Sequence, residues 1–396
     1  MRSTIISATL VGAAAASPWG PMNGWGYGGS SSSSSVAGWA QPTHTSSSSY
    51  ASATPSSSGQ VPFKFPLPNG FPNPSNDSLL QIELAAQGTL PNGALPTSIN
   101  ATTAGLFQAI AFNEISEVAF FTSLLSNITN DVPGYEIQQK VLKDFVNRTL
   151  TAVIAQEELH ALGANGILTT SGNLPIQPCQ YVFPSFDFDS AIDTARRFTD
   201  VVLGTLQDVQ VALDADGDGQ KFIALIGSVI GQEGEQNGFY RSLLDLIPSS
   251  NPFLTRSAGP FLFSLLNQYF VVPGSCPGPG NAALFAAVPV FGKLIVNSQD
   301  ITLSNQYINF EVNSTITDLK NYSVVFINQQ NVPVVKPIEN LVVSGNKATF
   351  QAYYPALDLV ADGLTIAAVT KNAGPFASVD AVAGATVFGP GLIEIN

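Results

Sequence analysis

Histidine is almost absent. The 396 residues hold two, His44 and His160. His44 lies in a serine-rich tail, so a centre needing two imidazoles is not available within one chain. Charge is scarce as well, at 11% of residues, and it is lopsided, with 15 Lys and Arg against 28 Asp and Glu. With so few cations to neutralise phosphates, nucleic acid is excluded as a partner. After the N-terminus no run is long and apolar enough to span a bilayer. The final residues, GPGLIEIN, lack the hydrophobic tail of a GPI signal. No nucleophile elbow, phosphate loop or Cys–His pair occurs.

What is present begins with MRSTIISATLVGAAAASP. Arg2, a short apolar run and the small residues Ala14 to Ala16 predict a secretory signal peptide over 1–16. Six Asn-x-Ser/Thr sequons agree with export: Asn76, Asn100, Asn127, Asn147, Asn313 and Asn321. The only two cysteines, Cys179 and Cys276, suit one disulfide in an oxidising compartment. The expected location is therefore the medium or the cell wall.

Residues 17–99 are rich in Ser, Gly and Pro, and no core can be built from them. The expectation is a disordered or irregular region, with an O-glycosylated tail up to about residue 60. Its Trp and Tyr residues offer contacts to a cell-wall polymer, beside the plainer reading of a solvated linker.

From 100 to 275 the apolar spacing is helical. A first helix is predicted over Thr102–Ser126, with Phe107, Ile110, Glu114, Glu117, Phe121 and Leu124 on one face. A second, Pro133–Ala164, has a seam of Val146, Leu150, Val153, Glu157, His160 and Ala164. A third runs to Leu213 from an N-cap at Asp189, and a fourth starts near Asp218 with Glu233, Gln236 and Tyr240 on its seam. A short apolar helix is predicted at Pro260–Phe270. From 283 to 396 the period becomes two, with turn signals at NQQN and SGNK. The fold class is mainly α: a four-helix bundle followed by a small all-β, sandwich-like module.

Three of these seams carry acid where an apolar residue belongs: Glu114, Glu157 with His160, and Glu233 with Gln236. Facing carboxylates in a core repel one another unless protons or a cation lie between them. Helical Glu and Glu-x-x-His are the ligands of metal sites in bundles.

Six segments, in order, resemble a known family. FNEISEVAFF, AQEELHALG, PCQYVFP, TLQDVQVAL, EGEQNGFYR and SCPGPGN resemble motifs of fungal ferritin-like proteins of stress response, sporulation and late sexual development. That family is related to plant desiccation-associated proteins. The resemblance covers about 100–290 and implies a ferritin-like bundle with a two-metal site. It puts Glu114, Glu157, His160 and a bridging Glu233 at the first metal position. At the second, Gln207 stands where Glu is expected and Gln236 where His is expected. A complete dimetal centre is therefore not expected.

Three readings follow. One is a single iron, manganese or zinc ion on Glu114, Glu157, His160 and Glu233. Another is a metal-free core in which Gln207 and Gln236 bond protonated carboxyls, with carboxyl pKa values raised by burial and by mutual repulsion. The third is a misregistered set of helices that leaves these groups exposed. The metal-free reading makes the chain a non-catalytic ferritin-like protein. The alternatives are a metal-dependent oxidase or peroxidase, and a cell-wall or adhesion protein. The loop DADGDG imitates the start of an EF-hand, but Leu225 stands where its last ligand, a Glu, belongs. A helix connection with Asp218 as N-cap is the reading preferred.

Overall fold

A computed structural model describes residues 64–298, 300–313, 319 and 321–396. The expected signal peptide, the whole Ser-rich tail with its expected glycans and polymer contacts, and His44 lie outside the described residues. The elements are α1 (Asn76–Ala86), α2 (Ala101–Thr129), α3 (Lys140–Thr170), α4 (Phe188–Ala215), α5 (Gly219–Leu243), α6 (Gly259–Tyr269), α7 (Gly278–Ala287), β1 (Leu294–Val296), β2 (Asn305–Asn313), β3 (Ser323–Asn328), β4 (Val334–Pro337), β5 (Glu339–Ser344), β6 (Lys347–Pro355), α8 (Ala356–Leu359), β7 (Gly363–Thr370), α9 (Val379–Ala385) and β8 (Thr386–Ile395).

Four long helices form the first layer. Helix α2 packs on α3, α4 packs on α5, and α2 also meets α4. Their starts follow from local chemistry. Asp187, not Asp189, caps α4: its side chain accepts from Ser190 N at 2.8 Å in a capping box. Helix α3 begins at Lys140 rather than Pro133, because 132–139 turns back on itself and Tyr135 N bonds Val132 O. Asp218 stands at the N-cap of α5 as expected, but its side chain and that of Asp216 serve another helix. Asp216 Oδ2 accepts from Thr103 N and Thr103 Oγ1, and Asp218 Oδ2 accepts from Asn100 N at 2.8 Å. Both carboxylates thus satisfy free N–H groups at the start of α2, where the helix dipole favours negative charge.

Two regions depart from expectation. The proline-rich stretch before residue 100 contains α1, capped by Ser75, with Ile82 and Ala86 packed on Ala155 and Leu159 of α3. The β region begins at Leu294, because 278–287 is helix α7.

The disulfide joins Cys179 to Cys276 across 97 residues. Beside it, Val182 N bonds Phe270 O at 2.7 Å and Val272 N bonds Gln180 O at 2.9 Å. The segment entering α4 is thereby tied to the segment leaving α6.

The C-terminal region holds two antiparallel sheets, ordered β1-β2-β6-β5 and β4-β3-β7-β8. Their facing side chains share one core, including Ile308, Phe310, Phe350, Val324, Phe326 and Val369. Strands β3 and β7 are buried at every position. Val324 and Phe326 face the other sheet, while Val325 and Ile327 join the helical core, as do Leu364, Ile366 and Ala368 from β7. The second sheet is therefore an inner layer between the helices and the first sheet. Buried ion pairs fasten it: Arg196, 3% exposed, meets Glu394 of β8 at 3.1 Å.

Gly204 marks a close approach of α4 to the segment that leads into α6. A Cβ there would collide with the carbonyl oxygen of Thr255, and backbone cannot yield as a flexible side chain does. Gly204→Ala should lower stability by about 1–3 kcal/mol through overpacking. Thermal melts would show it, and an unchanged midpoint would contradict the close approach.

Candidate metal centre

Each acid reaches the core because its helix buries the seam that carries it. Glu114, Glu157 and Glu233 are 0% exposed, so the reading that left these groups on the surface is overturned. One ligand atom from each of Glu114, Glu157, His160 and Glu233 lies within 4.8 Å of all the others. Helices α2, α3 and α5 thus converge on one point.

Inside the cluster the charges sort themselves. His160 Nδ1 lies 2.9 Å from Glu157 Oε2 and 3.4 Å from Glu114 Oε2. Gln236 Nε2 donates to Glu157 Oε1 at 2.5 Å, and Gln236 Oε1 accepts from Tyr240 OH at 3.3 Å. Glu157 is therefore held on both oxygens. The two oxygens of Glu233 and Oε1 of Glu114 have no hydrogen-bond partner, and Glu114 Oε2 has only its long contact with His160.

The proton affinities follow from these contacts. Burial pushes the Glu114 carboxyl up to about 7, against the lowering effect of His160. Burial, then the neighbouring carboxylates Glu114 and Glu157, drives Glu233 well above its ordinary range. Burial also acts on Glu157, but the His160 imidazolium and the Gln236 amide outweigh it and hold Glu157 below its usual value. His160 is the converse: desolvation works against its charge, and Glu157 overcomes it, so the imidazole stays protonated well above its ordinary pKa. The expected uniform rise in carboxyl pKa is corrected at Glu157. The metal-free cluster is an ion pair flanked by neutral acids.

Gln207 does not reach this cluster. Its Nε2 donates to Leu203 O at 3.3 Å, and its Oε1 accepts from Gln330 Nε2 at 2.8 Å. The rotation of α4 puts Val202 and Leu206 there instead, in the wall of a cavity of about 40 Å³ that also touches Glu114. Of the two expected glutamines, Gln236 alone bonds a carboxylate of the site.

Two buried acids lie outside the expected ligand set. Glu117 is one turn beyond Glu114 on the same seam, and its Oε1 accepts from Asn113 Nδ2 at 2.8 Å. Burial and the charges of Glu157 and Glu233 raise it well above its usual value. Its three-residue spacing from Glu114 was signal enough to include it. Glu158 faces the other way, toward the start of the described chain. Asn69 Nδ2 donates to both of its oxygens, at 2.8 and 3.0 Å. No pattern links residue 69 to 158, so that contact had no sequence signal.

A groove of about 410 Å³ between α3 and α5 leads toward the site. Phe145, Arg148, Phe239, Gln156, Gln232 and Gln236 line it, and Gln236 is also the residue that bonds Glu157. Among the sequons, Asn76, Asn100, Asn313 and Asn321 are exposed. Asn147 is half-buried on α3. Asn127, by contrast, is 2% exposed within α2.

No family model matches the chain, and no curated protein is significantly similar to it.

The raised carboxyls set a pH dependence. An acid with a folded pKa of about 7 and an unfolded value of 4.5, such as Glu114, stays protonated in the native state after the unfolded chain has lost its proton. Native stability is then greatest below the unfolded value and falls as pH rises toward 7. Glu158 (about 7), Asp208 (about 7) and Asp200 (about 8) add the same sign, and so does the raised His160. Glu157 and Asp193, both lowered, work the other way, but only as pH falls below the ordinary carboxylate range. In chelator, the melting temperature should drop steadily between about pH 5 and pH 8. A midpoint that climbs over this interval would refute the assignment of neutral buried acids.

Proposed function

We propose that the chain is an exported ferritin-like protein with a four-helix core that holds a single divalent ion, of the type linked to stress response, sporulation and sexual development. The biological role rests on the resemblance of the six ordered motifs. The metal reading rests on one observation: Glu114, Glu157, His160 and Glu233 converge within 4.8 Å. The unsatisfied Oε1 of Glu114 and both oxygens of Glu233 strengthen it, because buried polar atoms without partners cost about 1–3 kcal/mol each.

Three carboxylates and one imidazole suit iron, manganese or zinc. Glu114 and Glu233 would supply the free oxygens, and Glu157 and His160 would give up their mutual contact. An ion at such a site supplies Lewis-acid chemistry or one-electron chemistry. The residues themselves do the selecting. His160 must lose its proton to ligate, and Glu114 and Glu233 must ionise, so binding releases protons and strengthens with pH. A second metal has no second imidazole to hold it, and Gln207 is engaged elsewhere. This argues against two-metal oxygen chemistry and for storage of one ion, or for a structural ion.

One observation favours a metal-free core instead. Gln236 already occupies Glu157 Oε1 at 2.5 Å, as it would if an amide had taken the place of a ligand. Elemental analysis separates the two readings. Protein purified from medium supplied with iron, manganese and zinc should carry about one ion per chain, and Glu233→Gln and His160→Ala should each lose it. Metal-free wild-type protein from the same medium would sink the metal reading. A Glu233→Gln variant that is only stabilised at pH 8 would then identify the cluster as core packing.

A further inference from the structure

The outer face of the first sheet is built differently from the rest of the surface. Along β2 and β6, the inward residues Ile308, Phe310, Phe350 and Ala352 are buried. The outward ones are Tyr307, Asn309 and Glu311 on β2, directly opposite Tyr353, Gln351 and Thr349 on β6. Tyr307 is 47% exposed.

The tyrosines are held in place. Strand β6 lies between β2 and β5, yet Tyr307 OH donates to Glu339 of β5 at 3.3 Å. The phenol must therefore lie across β6 instead of standing off the sheet. Its ring meets Tyr353 edge-on, with centroids 5.5 Å apart. The Lys336 ammonium sits 5.3 Å from the centroid of the Tyr353 ring.

Beside the rings runs a row of amides. Asn340 Nδ2 donates to Gln351 Oε1 at 2.6 Å, Gln351 Nε2 donates to Asn309 Oδ1 at 2.8 Å, and Asn309 Nδ2 donates to Ser298 Oγ at 3.3 Å. The row crosses the whole sheet from β5 to the end of β1, roughly 14 Å at the usual strand spacing. Each amide keeps donor or acceptor capacity directed outward. Charges on this face balance: Lys347 pairs with Glu311 at 2.7 Å, and the remaining two, Lys336 over the Tyr353 ring and Glu339, which accepts from Tyr307, are of opposite sign. In a chain of net charge -13, this face carries no excess of either sign for an ionic partner.

We propose that this face binds a neutral polysaccharide. The C–H faces of sugar rings would pack on Tyr307 and Tyr353. Their hydroxyls would exchange hydrogen bonds with Asn309, Gln351 and Asn340. Flat rings and fixed amides cost little entropy to engage, which suits a weak, repeated contact along a polymer. An anionic polymer is disfavoured by the acidity of the chain. The proposal is independent of the metal reading.

The test uses the full chain and calorimetric titration with laminarin, mannan and soluble chitin oligosaccharides. At least one should bind, with little dependence on salt. Tyr307→Ala should weaken that binding about tenfold, and Asn309→Ala several-fold. Both sites are exposed, so melting temperatures should stay near wild type. Absence of binding to all three sugars overturns the proposal. So does binding of wild-type strength in both variants, which would put the contact on the serine-rich tail, and so does binding abolished by moderate salt.

Discussion

Four buried glutamates, Glu114, Glu117, Glu157 and Glu233, share one core with a single imidazole. Such a group of acids cannot all be ionised in a medium that solvates charge poorly. The protein's solution is division of labour. His160 and Gln236 stabilise the charge on Glu157, and the remaining acids stay neutral or await a cation. Much else is arranged around that constraint. Tyr240 steadies Gln236, Asn113 satisfies part of Glu117, and the seams of α2, α3 and α5 are aligned so that these contacts can form.

Much of this was legible in the sequence, because a period of 3.6 reports which residues share a face. The acids of α2, α3 and α5 were found as interruptions of apolar seams, and they meet where that reading put them. Periodicity does not report how far a neighbouring helix is rotated. Gln207 turns to Gln330 instead of the acids where the motif resemblance set it, and Val202 and Leu206 line the cavity beside Glu114. Capping was legible in position but not in partners. Asp218 stands at the N-cap of α5 as expected, but its side chain and that of Asp216 also bond Asn100 and Thr103, more than a hundred positions away.

The β region shows the same limit. Runs such as SVVFIN and GLTIAAVT read well as strands, but their lack of polar alternation carried further information. Every position of β3 and β7 is covered, because one face meets the other sheet and the opposite face meets the helices. The strand β8 carries GPG within its run, and α1 lies among prolines. In both cases long-range packing overrode a local signal of irregularity.

The sheet with two covered faces bears on how the chain can be divided. The change of period near residue 283 reads as a seam between a helical unit and a β module. Cutting there would strip Val325, Ile327, Leu364 and Ile366 of their cover and leave a flat, β-branched surface open to self-association. The helices would lose the floor on which α4 and α6 rest. Neither half covers its own apolar surface, so the two parts must fold and unfold as one unit.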